Sequence, residues 1–215
     1  MLAAAIDHDK VGSYWIRGAR ARNHTLATEA GMDLSTEGIF QLLDRRGAGR
    51  YGLSAVSQKE HALQSADLAV KRGLGDSLVI AALFHDLGHL LVGEDVNLAE
   101  QGVDDLHEET SANALAQLFG NDVAEPVRLH VAAKRYLCAV NPAYYDKLSE
   151  DSRQSLLLQG GPMSPAEVAA FDKLEHRAAT LALRMIDDEA KVAGLKPPGL
   201  ESYRAMARRL HAARA

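Results

Sequence analysis

The chain of 215 residues has a single cysteine, Cys138. That excludes an intramolecular disulfide and a cysteine-type zinc knuckle, so any bound metal must be held by His and carboxylates. Basic charge is not in excess: Lys plus Arg number 24 against 29 Asp plus Glu, a formal net charge of −5. A protein living on phosphate attraction would carry the opposite balance, so no nucleic-acid partner is expected. No apolar run approaches the roughly 20 residues of a membrane span. The apolar start, Met1 to Ile6, is short and meets Asp7 and Asp9 at once. It does not read as a signal peptide, and a cytoplasmic protein without a membrane partner is expected. Period-2 strand patterns, internal repeats and low-complexity linkers are also missing, and no pattern specifies an oligomeric state.

What the chain has in number is histidine, nine residues. The length suits one domain, and its punctuation is helical. Residues 1–33 fit no pattern and form an N-terminal extension of unassigned role, leaving 34–215 as the folded domain. Ser35 or Thr36 caps a helix bearing Ile39, Leu42 and Leu43 that stops near Gly47. Gly47 to Gly52 holds three glycines and reads as a mobile loop. Ser57 with Glu60 forms a capping box for a helix running to about Arg72, with Gly73 beyond it.

Asp76 or Ser77 opens the segment Leu78 to Phe84, apolar nearly all round and so expected at the centre of the domain. An acidic loop follows over residues 92–105. Further helices are expected at 106–119, closed by Gly120, and at 123–138, with Pro126 in the first turn. Ser164 and Glu167 form a second capping box for a long helix to about residue 190. After Pro197-Pro198-Gly199 comes a last helix carrying Leu200, Tyr203, Ala207 and Leu210. The fold class is therefore all-α, a single helical bundle.

His61, His85, His89, His107 and His130 fall on or beside these helices, and His85-Asp86 ends the most apolar one. An ionised carboxylate there is costly unless a metal or cation compensates it. A lone His on an apolar helix is usually a packed core residue. Five of them along four helices, with Asp86, instead suggest ligands.

His61, then His85-Asp86, then a downstream Asp resembles the HD-domain superfamily of metal-dependent all-α enzymes, mostly phosphohydrolases. Over roughly residues 51–206 the resemblance narrows. The strings His130 to Leu137, Ser152-Arg153, Gln159 to Met163, Arg184 to Asp187 and Leu195 to Tyr203 are similar to the phosphonate-cleaving HD-domain oxygenases. These use O2 as co-substrate at a mixed-valent Fe(II)/Fe(III) centre to split the C–P bond of a small 1-hydroxyalkylphosphonate, giving phosphate and a carboxylic acid.

The resemblance implies two iron ions held by His61, His85, Asp86, His107, His130 and Asp187, with Asp86 bridging. Imidazole and carboxylate donors suit iron. By residue physics alone Asp187 reads as a surface acid beside Asp188. Lys134 lies one helical turn past His130, and Arg184 three residues before Asp187. The resemblance makes Lys134, Arg184, His89, Ser152 and Ser155 the phosphonate pocket, where the bland readings are surface charges and helix caps. It makes Tyr51, on the glycine-rich loop, a gate that occupies an iron until substrate arrives.

Ser54 departs from relatives that carry Glu there to pair with a primary ammonium. A small neutral residue suits a quaternary ammonium, which points to 1-hydroxy-2-(trimethylammonio)ethylphosphonate, with glycine betaine and phosphate as products. Tyr144 or Tyr145 is a candidate aromatic partner for that cation. The alternatives are the 2-amino substrate, giving glycine, and a phosphohydrolase built on the same ligands.

Overall fold

The computed structural model describes residues 33–49, 55–91 and 106–214. Tyr51, Ser54, the acidic loop and nearly all of the N-terminal extension lie outside the described residues. Among those described there are twelve helices and no strand, in agreement with the all-α expectation.

Helix α1 (Thr36–Arg46) is capped by the Ser35 hydroxyl, which accepts from the Gly38 amide. The Ser57–Glu60 capping box opens α2 (Gln58–Lys71), and Gly73 just beyond it takes a left-handed φ of 67°. Helix α3 (Asp76–Phe84) starts at the first of the two expected residues, with Gly75 as its cap. Asp76 lies in the first turn, where a negative charge meets the positive end of the helix dipole. Residues Val79 to Phe84 of α3 are all buried. Around α3 pack α2, α6 (Asn121–Arg128), α11 (Arg177–Glu189) and α12 (Glu201–Ala212). A helix without a polar face thus sits in the centre. The short α4 (Leu87–Leu91) leads out of it, and α5 (His107–Phe119) packs against both α4 and α6.

Two expected helices are each divided in two. The 123–138 helix is α6 followed by α7 (His130–Val140), broken at Leu129. A continuous helix would give the Val127 carbonyl to the Val131 amide. Here that carbonyl accepts from the His130 ring at 2.7 Å. The helix expected from Ser164 to about residue 190 is α10 (Pro165–Phe171), then residues 172–176 without helix, then α11. The Ser164–Glu167 capping box is present. At the break Tyr136 donates to Asp172 at 2.9 Å and accepts from Arg177 at 2.7 Å, a tertiary knot on α7 that redirects the chain. The stretch between α7 and α10, without helical expectation, holds α8 (Pro142–Lys147) and α9 (Glu150–Leu158). Both carry ordinary start signals: Pro142 in the first turn and the Ser149 hydroxyl as cap.

Candidate metal centre

The six proposed ligands come from five separated places in the chain and meet in the core. His61 is on α2, His85 and Asp86 follow α3, His107 and His130 open α5 and α7, and Asp187 lies in the last turn of α11. All six are buried.

The rings are oriented by the backbone. His61 Nδ1 meets the Ala190 carbonyl at 2.8 Å, His85 Nδ1 that of Ala82 at 2.9 Å, and His130 Nδ1 that of Val127 at 2.7 Å. A carbonyl only accepts, so each Nδ1 carries a hydrogen and each Nε2 is turned inward. For His85 and His130 the acceptor is the carbonyl three residues back, so one contact both ends a helix and fixes a ring. His107 differs: its Nδ1 lies 3.6 Å from the Glu108 carboxylate and its ring stacks on His89 at 4.1 Å.

The inward atoms form two pairs. His61 Nε2 and His85 Nε2 are 3.2 Å apart, as are His107 Nε2 and His130 Nε2. Asp86 lies between the pairs with one oxygen toward each. Its Oδ2 is 3.3 Å from His85 Nε2 and 3.6 Å from His61 Nε2, while Oδ1 is 3.5 Å from His107 Nε2 and 3.8 Å from His130 Nε2. Asp187 joins the first pair, with Oδ1 3.3 Å from His61 Nε2 and 3.8 Å from His85 Nε2.

Asp86 Oδ2 is buried and accepts no hydrogen bond among the described residues. Metal bonds of about 2.1 Å set neighbouring ligand atoms about 3.0–3.4 Å apart, for right or tetrahedral angles. Converging acceptors at these separations fit metal ions, and the donor set of imidazole and carboxylate fits iron.

The charge balance also favours cations. Burial would raise the Asp86 carboxyl, but His85, and beyond it His89 and His107, hold it well below the usual carboxylate range. Burial opposes ionisation of Asp187 too, and Arg184 and then Lys191 hold it low. Burial likewise pushes against a proton on His85, yet the two carboxylates raise that ring to about 10. In the metal-free chain a proton on His85 thus stands in for bound positive charge. His130 goes the other way, kept neutral by burial and by the neighbouring rings of His107 and His85.

Of the expected pocket residues, His89 and Arg184 contact proposed ligands directly, and Lys134 stands one turn along α7 from His130. Lys134 is 3% exposed, and its Nζ donates to Ser155 Oγ at 2.7 Å. Burial first, and Arg184 second, lower its ammonium to about 7. Ser152 is buried in the first turn of α9, where its hydroxyl accepts from Ser149 at 3.0 Å. The helix cap is Ser149, so neither Ser152 nor Ser155 has that role. His89 is half-buried and offers a nitrogen within 4.8 Å of atoms of Asp86 and His107, within reach of a metal as well as of a substrate. Arg184 is already engaged, by Asp187, Asp188 and Tyr144.

Neither aromatic candidate is set aside for a substrate cation: one is packed away and the other is exposed and already carries a cation. Tyr144 is packed with Cys138, Leu148 and Leu156, and Arg153 lies over the Tyr145 ring at 5.7 Å. Sequence reasoning gave no role to Glu108, Asp188 or Lys191, whose Nζ is 3.4 Å from Asp187 Oδ1. The available signal was position, each lying within four residues of a proposed ligand.

The sequence profile of the HD domain matches residues 59–193. The chain is 45% identical over 169 residues to a hydroxymethylphosphonate dioxygenase of Gimesia maris, covering 77% of this chain and 82% of that one. It is 39% identical over 174 residues to the [1-hydroxy-2-(trimethylamino)ethyl]phosphonate dioxygenase (glycine-betaine-forming) of Leisingera caerulea, covering 81% and 89%.

Proposed function

The chain belongs to the HD-domain family, together with the two phosphonate dioxygenases just described, and from that premise we propose that it is a metal-dependent oxygenase that cleaves the C–P bond of a 1-hydroxyalkylphosphonate. The observation that carries the reading is Asp86, with one carboxylate oxygen toward each histidine pair. The substrate proposed first is 1-hydroxy-2-(trimethylammonio)ethylphosphonate, giving glycine betaine and phosphate.

His61, His85, Asp187 and Asp86 would hold one iron, and His107, His130 and Asp86 the other. When bound, an Fe(II)/Fe(III) pair supplies the O2 chemistry that oxidises C1 of the substrate. The chain's own residues bind and orient the anion. Lys134 and Arg184 set two cations beside the centre, and both are buried, so their attraction for a phosphonate is little weakened by water. Lys134 is near neutrality while the pocket is empty. An arriving dianion favours its protonated form, so charge is matched as substrate enters. Ser152 and Ser155 supply hydroxyls on one turn of α9, and Ser155 holds the Lys134 ammonium. The gating role that the family resemblance implies for Tyr51 is kept as part of this proposal.

A second substrate is favoured by a specific observation. Tyr144 is packed away, Tyr145 is exposed with Arg153 over its ring, and the 45% identical relative is named for a phosphonate without any amine. Hydroxymethylphosphonate would give formate and phosphate by the same oxidation at C1.

The deciding experiment is anaerobic reconstitution with iron, then exposure to each hydroxyphosphonate with and without O2. Phosphate release that requires O2, with one equivalent consumed per turnover, is the expected result. Release of phosphate from esters without O2 would establish a phosphohydrolase instead. The ratio of kcat/KM for the trimethylammonio, amino and hydroxymethyl substrates assigns the substrate.

A further inference from the structure

Arg184 faces two adjacent carboxylates with different tasks. Asp187 divides its oxygens: Oδ1 faces His61 and His85, while Oδ2 accepts from Arg184 Nη1 at 2.6 Å. Asp188, one residue on, takes the other edge of the guanidinium. Its Oδ2 accepts from Nε at 3.2 Å and its Oδ1 accepts from Nη2, a side-on fork. Tyr144 reaches in from α8 and closes the group. Its hydroxyl accepts from Arg184 Nε at 2.9 Å and donates to Asp188 Oδ2 at 2.5 Å. Arg184 and Tyr144 are both buried, and the Asp188 side chain is only 20% exposed.

A guanidinium has five N–H groups. Here Nε–H, one N–H on Nη1 and one on Nη2 are engaged, which leaves one on each terminal nitrogen for a ligand. A buried Arg with Asp187 as its sole carboxylate would draw both Asp187 oxygens to itself, in competition with the metal. With Asp188 and Tyr144 holding the opposite edge, Asp187 gives Arg184 one oxygen only, and its Oδ1 faces the two rings and, at 3.4 Å, Lys191 Nζ.

We propose that Asp188 and Tyr144 are positioning residues that share the Arg184 guanidinium, keeping one Asp187 oxygen for the metal and aiming the two remaining N–H groups at the substrate anion. The second half of this assignment rests on the phosphonate reading; the first half does not.

The test begins with Fe(II) alone, titrated anaerobically into the metal-free full-length chain. Asp188→Asn is expected to weaken Fe(II) binding about tenfold, as loss of a partner behind a ligand typically does. In the double variant Asp188→Asn/Arg184→Met the competing guanidinium is gone while Lys191 is common to both backgrounds, and affinity should return to that of Arg184→Met alone. Equal Fe(II) binding by Asp188→Asn and the parent chain would overturn the proposal. So would a loss that persists in the Arg184→Met background, since that would mark Asp188 as serving the fold.

Tyr144→Phe removes one oxygen and keeps the packing. It should raise KM for the hydroxyphosphonate that the parent chain cleaves best about fivefold, in keeping with the net worth of one ordinary hydrogen bond, with kcat within twofold and iron content unchanged. An unchanged KM, or a fall in kcat alone, would remove Tyr144 from the assignment. If the parent chain releases no phosphate from any hydroxyphosphonate, the proposed function fails, and the Fe(II) titrations still decide the role of Asp188.

Discussion

Gly88 and the backbone of His107 leave no room for a side chain between them. A Cβ on Gly88 would lie 2.3 Å from the His107 carbonyl oxygen and 2.8 Å from its Cα, and the Gly88 amide donates to Ser111 Oγ at 2.7 Å. This contact presses α4 onto the first turn of α5, where His107 presents its Nε2. Leu106, just before it, has a left-handed φ of 49°, a conformation that side chains other than Asn, Asp and His rarely adopt.

Gly88→Ala should therefore displace His107 and spare the other pair. The expected outcome is a chain that binds about one iron in place of two, destabilised by about 1–3 kcal/mol as overpacked interiors are. Iron content by elemental analysis, alongside a denaturant melt, checks this. Two irons bound as in the parent chain would contradict it.

Asp86→Asn keeps the shape of the bridge and removes its charge. Because each oxygen serves one histidine pair, the loss should fall on both metals together, with at least a tenfold weaker affinity for each. A titration that retains one tight site would show that Asp86 serves a single metal.

The Lys134 ammonium titrates near 7, below its ordinary 10.5. Between these values the unfolded chain binds more protons than the folded one, so this group's contribution to stability rises with pH across that window. Anion binding runs the opposite way, because the charge is lost as pH climbs past about 7. The alkaline limb of the kcat/KM profile should accordingly belong to Lys134. Lys134→Arg should flatten it, and Lys134→Met should lower the whole profile. A limb unchanged in Lys134→Arg would assign it to another group.

Stripping the metal should lower the melting temperature. A ligand at one hundred times its Kd adds about 2.7 kcal/mol, which for a domain of this size is about 5–10 °C per metal. Calorimetry of the chelator-treated and iron-loaded chain measures the difference, and coincident melts would mean that no metal binds the folded state selectively.

Ser54→Glu should shift preference toward the 2-amino substrate by returning a carboxylate where a primary ammonium would pair. Unchanged relative kcat/KM for the amino and trimethylammonio substrates would place the cation elsewhere.

Local signals were legible where local chemistry decides. Both capping boxes, Ser57 with Glu60 and Ser164 with Glu167, form as their spacing implies, and the all-round apolar segment 78–84 is the central helix. The breaks at Leu129 and at 172–176 contain no Gly or Pro. They are set by the His130 ring taking a carbonyl and by Tyr136 gathering Asp172 and Arg177, contacts that exist only in the folded chain. The same holds within the site. Residue type suggested Tyr144 for a substrate cation, whereas packing gives its hydroxyl to Asp188 and Arg184. Residue type suggested an ordinary surface acid at Asp187, whereas the last turn of α11 carries it into the core.

A chain with one cysteine cannot be cross-linked by sulfur, yet residues 61 and 187 meet in the core with more than a hundred residues of chain between them. A metal held by both would act as a reversible clasp on that loop. Closing a loop of that size permanently removes freedom from the unfolded chain worth about 4–5 kcal/mol in the chain-entropy account. Unlike a disulfide, this clasp opens with chelation rather than reduction, so the durability of the folded chain would follow the supply of metal and not the redox state of its surroundings.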